Sequence, residues 1–497
     1  MPSATWYERL SPLDTMFLDL EDGNAHMHVG GVLLFEGRPP AYRELVAHLA
    51  SRLDRVPRYR RRLAFVPLGA GRPVWIDDPA FDVERHLRRA TLPAPGGADA
   101  LKEHAARFFS RPLDRARPLW ELELVDGLGG DRFALLSKTH HCLLDGIGGV
   151  DFLAAITDAD PSVGPPDALT AWTPRAAPGA AALLAASLRD DVARPLGLAR
   201  GALEAGTEGR RIALDLAAGA RPLAGLAGLG RAPASSLNRP IGPRRRWEMP
   251  SVELAAVKQV RAALGVTVND VVLGVVGGAL RTLLRSRGEA LRDDLRVFVP
   301  VNVRPPEAQG TYGNQVSLVF CPLPLREPDP VARLRRIADA MAALKARREA
   351  AGMLAFQRLG EVTAPAVCAA TMRLLVAMRY FNLVVSNIPG PQVPRYTLGR
   401  RLVACHPLIP LSNGATLSVG VLSCAGSIDV GLLGCEDGAR DLPLLAGAIP
   451  DALGELVDRT RARAAVAPGA AVAAPLPDPS AVAAARAAAA PPQAPGP

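Results

Sequence analysis

Apolar and polar positions change period repeatedly along this chain, and each change marks an element. Residues 24–35 rise from a polar start into Val29, Val32, Leu33, Leu34 and Phe35, which suits an extended segment. His26 and His28 would share one face of it. Residues 42–53 carry Leu45, Val46, Leu49 and Leu53 at helical spacing. A short strand is expected at 73–76, a helix at 101–109 and a strand at 119–125. The run Arg132-Phe133-Ala134-Leu135-Leu136 is short enough to be a buried strand beside the last of these. It ends in the polar stretch Ser137 to Gly146, and 147–156, which begins with small residues, reads as a helix.

The second half repeats the alternation. Residues 252–264 are amphipathic, and 266–284 form an apolar helix that opens with Thr267-Val268-Asn269-Asp270. Asn and Asp both suit the cap of such a helix. Strands are expected at 295–301, 316–323, 383–386, 415–422 and 428–433, and helices at 331–348 and 364–378. Between the halves the pattern dissolves. Residues 161–246 are rich in Ala, Gly and Pro and hold twelve Arg, no Lys and six Asp or Glu, so they carry +6 of the net +9. Helices at 180–191 and 210–218 are broken by Pro and Gly. The division that follows is a first domain at 1–160, a crossover at 161–243, a second domain at 244–465 and an Ala/Pro-rich tail at 466–497. That tail has no large apolar side chains and should be disordered.

Length and composition narrow the class. At 497 residues, half of them apolar, the chain has material for two cores. Its positive charge suits an anionic partner, such as a CoA-linked substrate or an acidic membrane surface. No nucleic-acid-binding motif accompanies that charge. The run Arg58, Arg60, Arg61 and Arg62 reads as a solvated face. The six cysteines form no CxxC pair, which suits reduced, buried thiols in a cytoplasmic protein. No signal-peptide pattern is visible, and no apolar run is long enough to span a bilayer.

The chemistry concentrates at Thr139-His140-His141-Cys142-Leu143-Leu144-Asp145-Gly146. Neighbouring histidines in extended chain point to opposite faces, so one of them works on a given substrate. Histidine is the usual general base near neutral pH. Asp145, four residues beyond His141, could brace the turn, and Gly146 permits a backbone shape closed to other residues. The bland alternatives are a histidine satisfied in a polar turn, or a metal site, though adjacent histidines chelate poorly. Cys142 beside a histidine is a weak signal for a nucleophile.

The motif His-His-x-x-x-Asp-Gly resembles the active-site signature of the bacterial wax ester synthase/diacylglycerol acyltransferase family. Further segments carry the same resemblance in order up to about residue 463. They are Leu10-Ser11-Pro12-Leu13-Asp14, Pro118-Leu119-Trp120-Glu121, Leu237-Asn238-Arg239-Pro240-Ile241-Gly242-Pro243, Val268-Asn269-Asp270-Val271, Pro300-Val301-Asn302-Val303-Arg304, Gly313-Asn314-Gln315 and Ser386-Asn387-Ile388-Pro389-Gly390-Pro391.

The resemblance implies an α/β fold of two chloramphenicol acetyltransferase-like domains, with mixed sheets and an active-site tunnel at their interface. It implies transfer of a fatty acyl group from acyl-CoA to diacylglycerol or to a long-chain alcohol, at a membrane or lipid-droplet surface, with no metal and no cofactor. His141 would be the general base and His140 its support. Asp145 and Gly146 would hold the turn, Asn269 would contact the oxyanion or substrate, and the Pro-Leu-Trp segment would lie close to the motif as structural support. Two other readings share parts of the pattern: a condensation-type enzyme fed by a carrier protein, and a non-catalytic lipid-surface protein.

Overall fold

The computed structural model describes residues 6–143, 153–164, 172–189, 230–302, 316–346 and 378–466. Its first part runs β1 (Glu8–Arg9), α1 (Pro12–Leu20), β2 (His28–Glu36), α2 (Tyr42–Arg52), β3 (Arg61–Ala64), β4 (Val74–Asp77), β5 (Leu87–Thr91), α3 (Gly97–Ser110), β6 (Trp120–Asp126) and β7 (Arg132–His140). After the helix Ala180–Arg189 come β8 (Arg245–Glu248) and β9 (Ser251–Glu253), then the helices Leu254–Leu264 and Val268–Ser286. The chain continues through β10 (Leu295–Asn302), β11 (Val316–Leu323), the helix Pro330–Ala346, β12 (Leu383–Pro389), β13 (Tyr396–Thr397), β14 (Arg400–Leu408), β15 (Leu417–Cys424) and β16 (Ser427–Cys435). It closes with the helix Leu442–Val466. The helix expected at 210–218, all but the last residue of the one expected at 364–378, and the tail beyond 466 lie outside the described residues.

Two mixed sheets carry the fold. The first has the order β13-β14-β2-β7-β6-β5 and the second β11-β10-β12-β15-β16-β8, with β9 also on β16. A small sheet, β1-β4-β3, stands beside the first. Parallel pairs occur in both large sheets, at β5/β6 and at β10/β12/β15. The two-domain α/β architecture is therefore present, but the sheets do not respect the boundary expected at 244. Strand β14, which has no clear alternation in Arg400-Arg401-Leu402-Val403-Ala404-Cys405, leaves the second half of the chain and pairs with β2. Two glycines permit this. Gly30 and Gly31 adopt φ of 151° and 157°. A Cβ would stand 2.1 Å from the Ser137 carbonyl oxygen at the first and 2.2 Å from the His406 carbonyl oxygen at the second. Strand β2 can thus lie between β7 and β14 because nothing projects from it there.

The strand exchange welds the halves together. One apolar cluster contains Met27 and Val32 of the first half, Phe108 and Phe109 of α3, and Trp247, Leu408 and Leu433 of the second. Asn24 Nδ2 donates to the Ile241 carbonyl at 3.0 Å, and Cys405 N–H donates to the fully buried Asp429 at 2.7 Å. The second half has its own core, in which the helices Leu254–Leu264, Val268–Ser286, Pro330–Ala346 and Leu442–Val466 pack together and on the sheet. Among the described residues no single helix is long and apolar enough to cross a membrane.

The arginine run is not the solvated face its composition suggested. Arg58 and Arg61 pair with Glu8, Arg60 with Asp54, and Arg62 lies 3.9 Å from Asp78. Arg60 is buried. A charge this far from water needs a partner, and Glu8 of β1, Asp54 after α2 and Asp78 after β4 supply one for each of the four. The five described cysteines are buried, as expected; Cys368 lies outside the described residues.

Candidate active site

The motif begins as β7, not as a loop. The strand extends four residues past its apolar run, so His140 is its last residue and His141 opens a short 3-10 turn, His141–Leu143. Pairing on both sides holds it extended that far: His28 is opposite His140 in β2, and Trp120 is opposite Thr139 in β6. The His140 N–H donates to the Leu119 carbonyl at 2.9 Å and the His141 N–H to the Met27 carbonyl at 2.8 Å. Both histidine backbones are thereby anchored by neighbouring segments.

The two rings have different surroundings. The half-buried His141 stacks on Phe17 of α1, centroids 3.7 Å apart and planes 18° from parallel. Its buried Nδ1 has no hydrogen-bond partner among the described residues. Desolvation pushes its pKa down to about 4, so the imidazole is neutral at physiological pH. The segment Leu10-Ser11-Pro12-Leu13-Asp14 explains how Phe17 arrives there. Ser11 caps α1 by accepting the Asp14 N–H at 3.0 Å, and Pro12 opens the first turn.

His140 faces the interior. Its Nδ1 accepts the Cys142 N–H at 3.1 Å, which sets the neutral ring as the Nε2–H tautomer. Nε2 lies 3.6 Å from Glu21 Oε2. Glu21, only 11% exposed at its side chain, is a hub. It accepts from Arg115 Nη2 at 2.6 Å, lies 3.6 Å from His28 Nε2, and reaches the Met27 N–H at 3.3 Å. Burial alone would raise the Glu21 carboxyl. The contacts with His140, and then with Arg115 and His28, outweigh it and hold the group at about 2. His26 and His28 stack at 5.2 Å on the same strand face, and desolvation lowers both. Glu21, His26, His28 and His140 therefore gather, yet among the described residues no such group has metal-binding geometry.

The other expected residues fall as follows. Cys142 is fully buried and its thiol is pushed well up by desolvation, which removes the thiolate a nucleophile needs. Trp120 is core: its Nε1 donates to the Tyr59 carbonyl at 2.8 Å and its ring stacks on His86 at 4.5 Å. Lys138, fully buried, bonds the Arg111 carbonyl at 2.8 Å and lies 3.3 Å from Glu121. Asp145 and Gly146 lie outside the described residues. Asn269 is not the cap of its helix. Thr267 is, in a reciprocal box with Asp270, which leaves the Asn269 side chain for other work. Its Oδ1 accepts from Asn387 Nδ2 of β12 at 3.5 Å, so two motif segments far apart in sequence meet there.

Glu21, Phe17, Arg115 and the role of Asn387 were not singled out from sequence. A lone acid after an apolar helix carries little signal, and His26-x-His28 gives no indication of what it faces. The Asn387 segment reads equally well as a turn.

The two-lobed arrangement is that of condensation and acyltransferase domains. A condensation domain of the calcium-dependent antibiotic synthetase, 18% identical, shares it over 91% of this chain and 97% of that one, with a TM-score of 0.58. The likeness to the wax ester synthase/diacylglycerol acyltransferase of Marinobacter aquaeolei is greater: 26% identity, 91% of this chain, all of that chain and a TM-score of 0.65. Residues 10–272 match the wax ester synthase/diacylglycerol acyltransferase catalytic domain, and 312–457 match the C-terminal domain of the same family. The sequence is 34% identical over 483 residues to the probable diacylglycerol O-acyltransferase tgs1 of Mycobacterium tuberculosis, covering 91% of this chain and 96% of that one. The chain belongs to the wax ester synthase/diacylglycerol acyltransferase family.

Proposed function

We propose that the protein transfers a fatty acyl group from acyl-CoA to the hydroxyl of diacylglycerol or of a long-chain alcohol, in a tunnel between its halves. The observation that carries this is a neutral, backbone-anchored histidine in the family's motif. His141 Nδ1 is the buried nitrogen, which leaves Nε2 for the substrate. Nε2 accepts the hydroxyl proton as the acceptor oxygen attacks the thioester carbonyl. The C–S bond then breaks, the carbonyl re-forms, and the CoA thiolate recovers the proton from the imidazolium. The products are an ester and free CoA.

The tetrahedral oxyanion needs a donor in place before the reaction. Asn269 suits this role, since its Oδ1 accepts from Asn387 and its own NH2 group is a donor. Glu21, itself held by Arg115, holds His140. Both acceptors and their esters are nearly insoluble in water, so the protein works in peripheral contact with a membrane or lipid-droplet surface.

Purified protein supplied with acyl-CoA and either diacylglycerol or hexadecanol should release free CoA in step with lipid product. Product formed solely from a carrier-protein thioester would overturn the acyl-CoA reading. No product from any donor would make the chain a lipid-surface protein.

A further inference from the structure

One stretch of the crossover, 172–189, is fastened to the small sheet β1-β4-β3. Asp77, the buried last residue of β4, takes the guanidinium fork of Arg175: Nε donates to Oδ2 at 2.9 Å and Nη2 to Oδ1 at 3.0 Å. The Arg175 N–H donates to the same carboxylate at 3.1 Å. A two-pronged, charge-assisted contact of this kind fixes orientation as well as distance. The guanidinium also lies over the Trp6 ring, 4.7 Å from its centroid. Upstream, Trp172 meets Phe81 edge to face at 6.0 Å and carries the Arg60 guanidinium at 5.5 Å.

Downstream, the helix Ala180–Arg189 packs Leu183 on Val74 and Ile76 of β4, with Trp6 and Tyr7 beside them. In its last turn Ser187 Oγ accepts from Arg9 Nη1 at 2.9 Å, and the same nitrogen donates to the Arg72 carbonyl at 3.0 Å. Gly71 stands so close to Ser187 that a Cβ would meet its Oγ at 2.3 Å. Ring contacts, an ion pair, apolar packing and a hydrogen bond thus hold a segment whose sequence shows no regular apolar pattern.

The part of the sheet that this segment grips leads directly into the active site. Strand β1 lies on β4, with Glu8 opposite Trp75 and Arg9 opposite Val74. Leu10, the next residue, is tied twice: its N–H donates to the Pro73 carbonyl at 2.9 Å, and its carbonyl accepts from Arg72 Nη1 at 3.0 Å. Ser11 follows and caps α1, and Phe17, in the second turn of that helix, stacks on His141. The far end of α1 is held separately, by Arg115 Nη2 on the Leu18 carbonyl at 3.3 Å. The sheet and the crossover segment docked on it therefore fix the N-terminal end.

We infer that Arg175 and Ser187 are positioning residues for the acyl transfer: docked on the small sheet, they fix β1 and the start of α1, and so keep the Phe17 ring on His141. This role rests on His141 being the base of the transfer, as proposed above. It makes the docked part of the crossover a piece of the site's framework and not only a tether between the halves.

The test compares full-length wild type, Arg175→Gln/Ser187→Ala, Phe17→Ala and the triple variant. Arg175→Gln leaves the buried Asp77 with Arg61 Nε at 3.4 Å, so the carboxylate keeps a cation and the fold is spared. Amide hydrogen exchange across 8–20 should quicken roughly threefold or more in the double variant, and stay as in wild type across 268–286 of the second core. In the acyl-CoA assay kcat should fall about three- to tenfold, with KM for acyl-CoA unchanged within about twofold; loss of the Phe17 stack itself sets the upper limit. In the Phe17→Ala background the two dock substitutions should cost nothing further. Arg175→Lys keeps the charge without the fork, and should fall between wild type and Arg175→Gln in both readouts. These two single variants carry the comparison if the double variant does not fold.

Exchange across 8–20 equal to wild type would overturn the proposal. So would faster exchange there with kcat untouched, or a loss in kcat that adds in full to that of Phe17→Ala. A wild type that makes no ester would instead remove the function proposed above, and the role in acyl transfer with it; exchange across 8–20 would then decide whether the dock holds α1 at all.

Discussion

Glu21 stands 3.6 Å from Nε2 of His140, while His141, one residue on, stacks on Phe17. The pair divides the labour of the motif. One histidine is tied to a buried acid and the other keeps a neutral ring against an apolar face.

His141→Ala should therefore abolish most turnover while the protein stays folded. Loss of a general base costs roughly 10²–10⁴-fold. His140→Ala should cost less activity and more stability, because it strands Glu21. Phe17→Ala should lower kcat up to about tenfold, the worth of a good ring stack. Steady-state kinetics beside thermal melts would check all three, and a more damaging His140→Ala among folded variants would reverse the assignment.

The pH profile should be displaced to acid. The His141 pKa of about 4 lies below the ordinary 6.5, so the free enzyme keeps its base form down to about pH 5. A plot of kcat/KM against pH should be flat from about 8 to 5 and fall below, provided the protein remains folded. A limb centred near 6.5 would mean that His141 is solvated.

Glu21 makes the opposite kind of prediction, about stability. Its folded pKa of about 2 is below the ordinary 4.5, so its stabilisation is complete above about pH 4.5 and is lost as pH falls towards 2. The shift corresponds to as much as about 3 kcal/mol. Glu21→Gln should lower the melting temperature at pH 7 and remove that part of the acid dependence. Unchanged melting curves at both pH 7 and pH 3 would contradict the hub.

Asn269→Ala should reduce kcat, and Asn387→Ala should do so less, because it acts through Asn269. The double variant should be no worse than Asn269→Ala. Additive losses would show that the two amides work separately.

Gly30→Ala should destabilise the protein by at least about 2 kcal/mol, since its methyl would strike the backbone of β7. Urea denaturation would measure it. A stability equal to wild type would mean that β2 and β7 are not in this register.

What the sequence determined by itself was local. The 3.6-residue and two-residue periods placed most helices and strands, because the apolar face of each element is written in consecutive residues. Alternation in extended chain predicts different surroundings for the adjacent histidines, although His141 itself opens a 3-10 turn. Tertiary structure decided what period cannot carry. Strand β14 crosses into the first sheet because Gly31 leaves room for the His406 carbonyl, and no pattern in 400–408 announces that. The arginines at 58–62 find partners at Glu8, Asp54 and Asp78, acids up to 53 residues away. Glu21 meets His140, and Asn387 meets Asn269, across more than a hundred residues. Such contacts depend on how sheets stack and which edges are free, and the sequence records them solely as isolated polar residues among apolar neighbours.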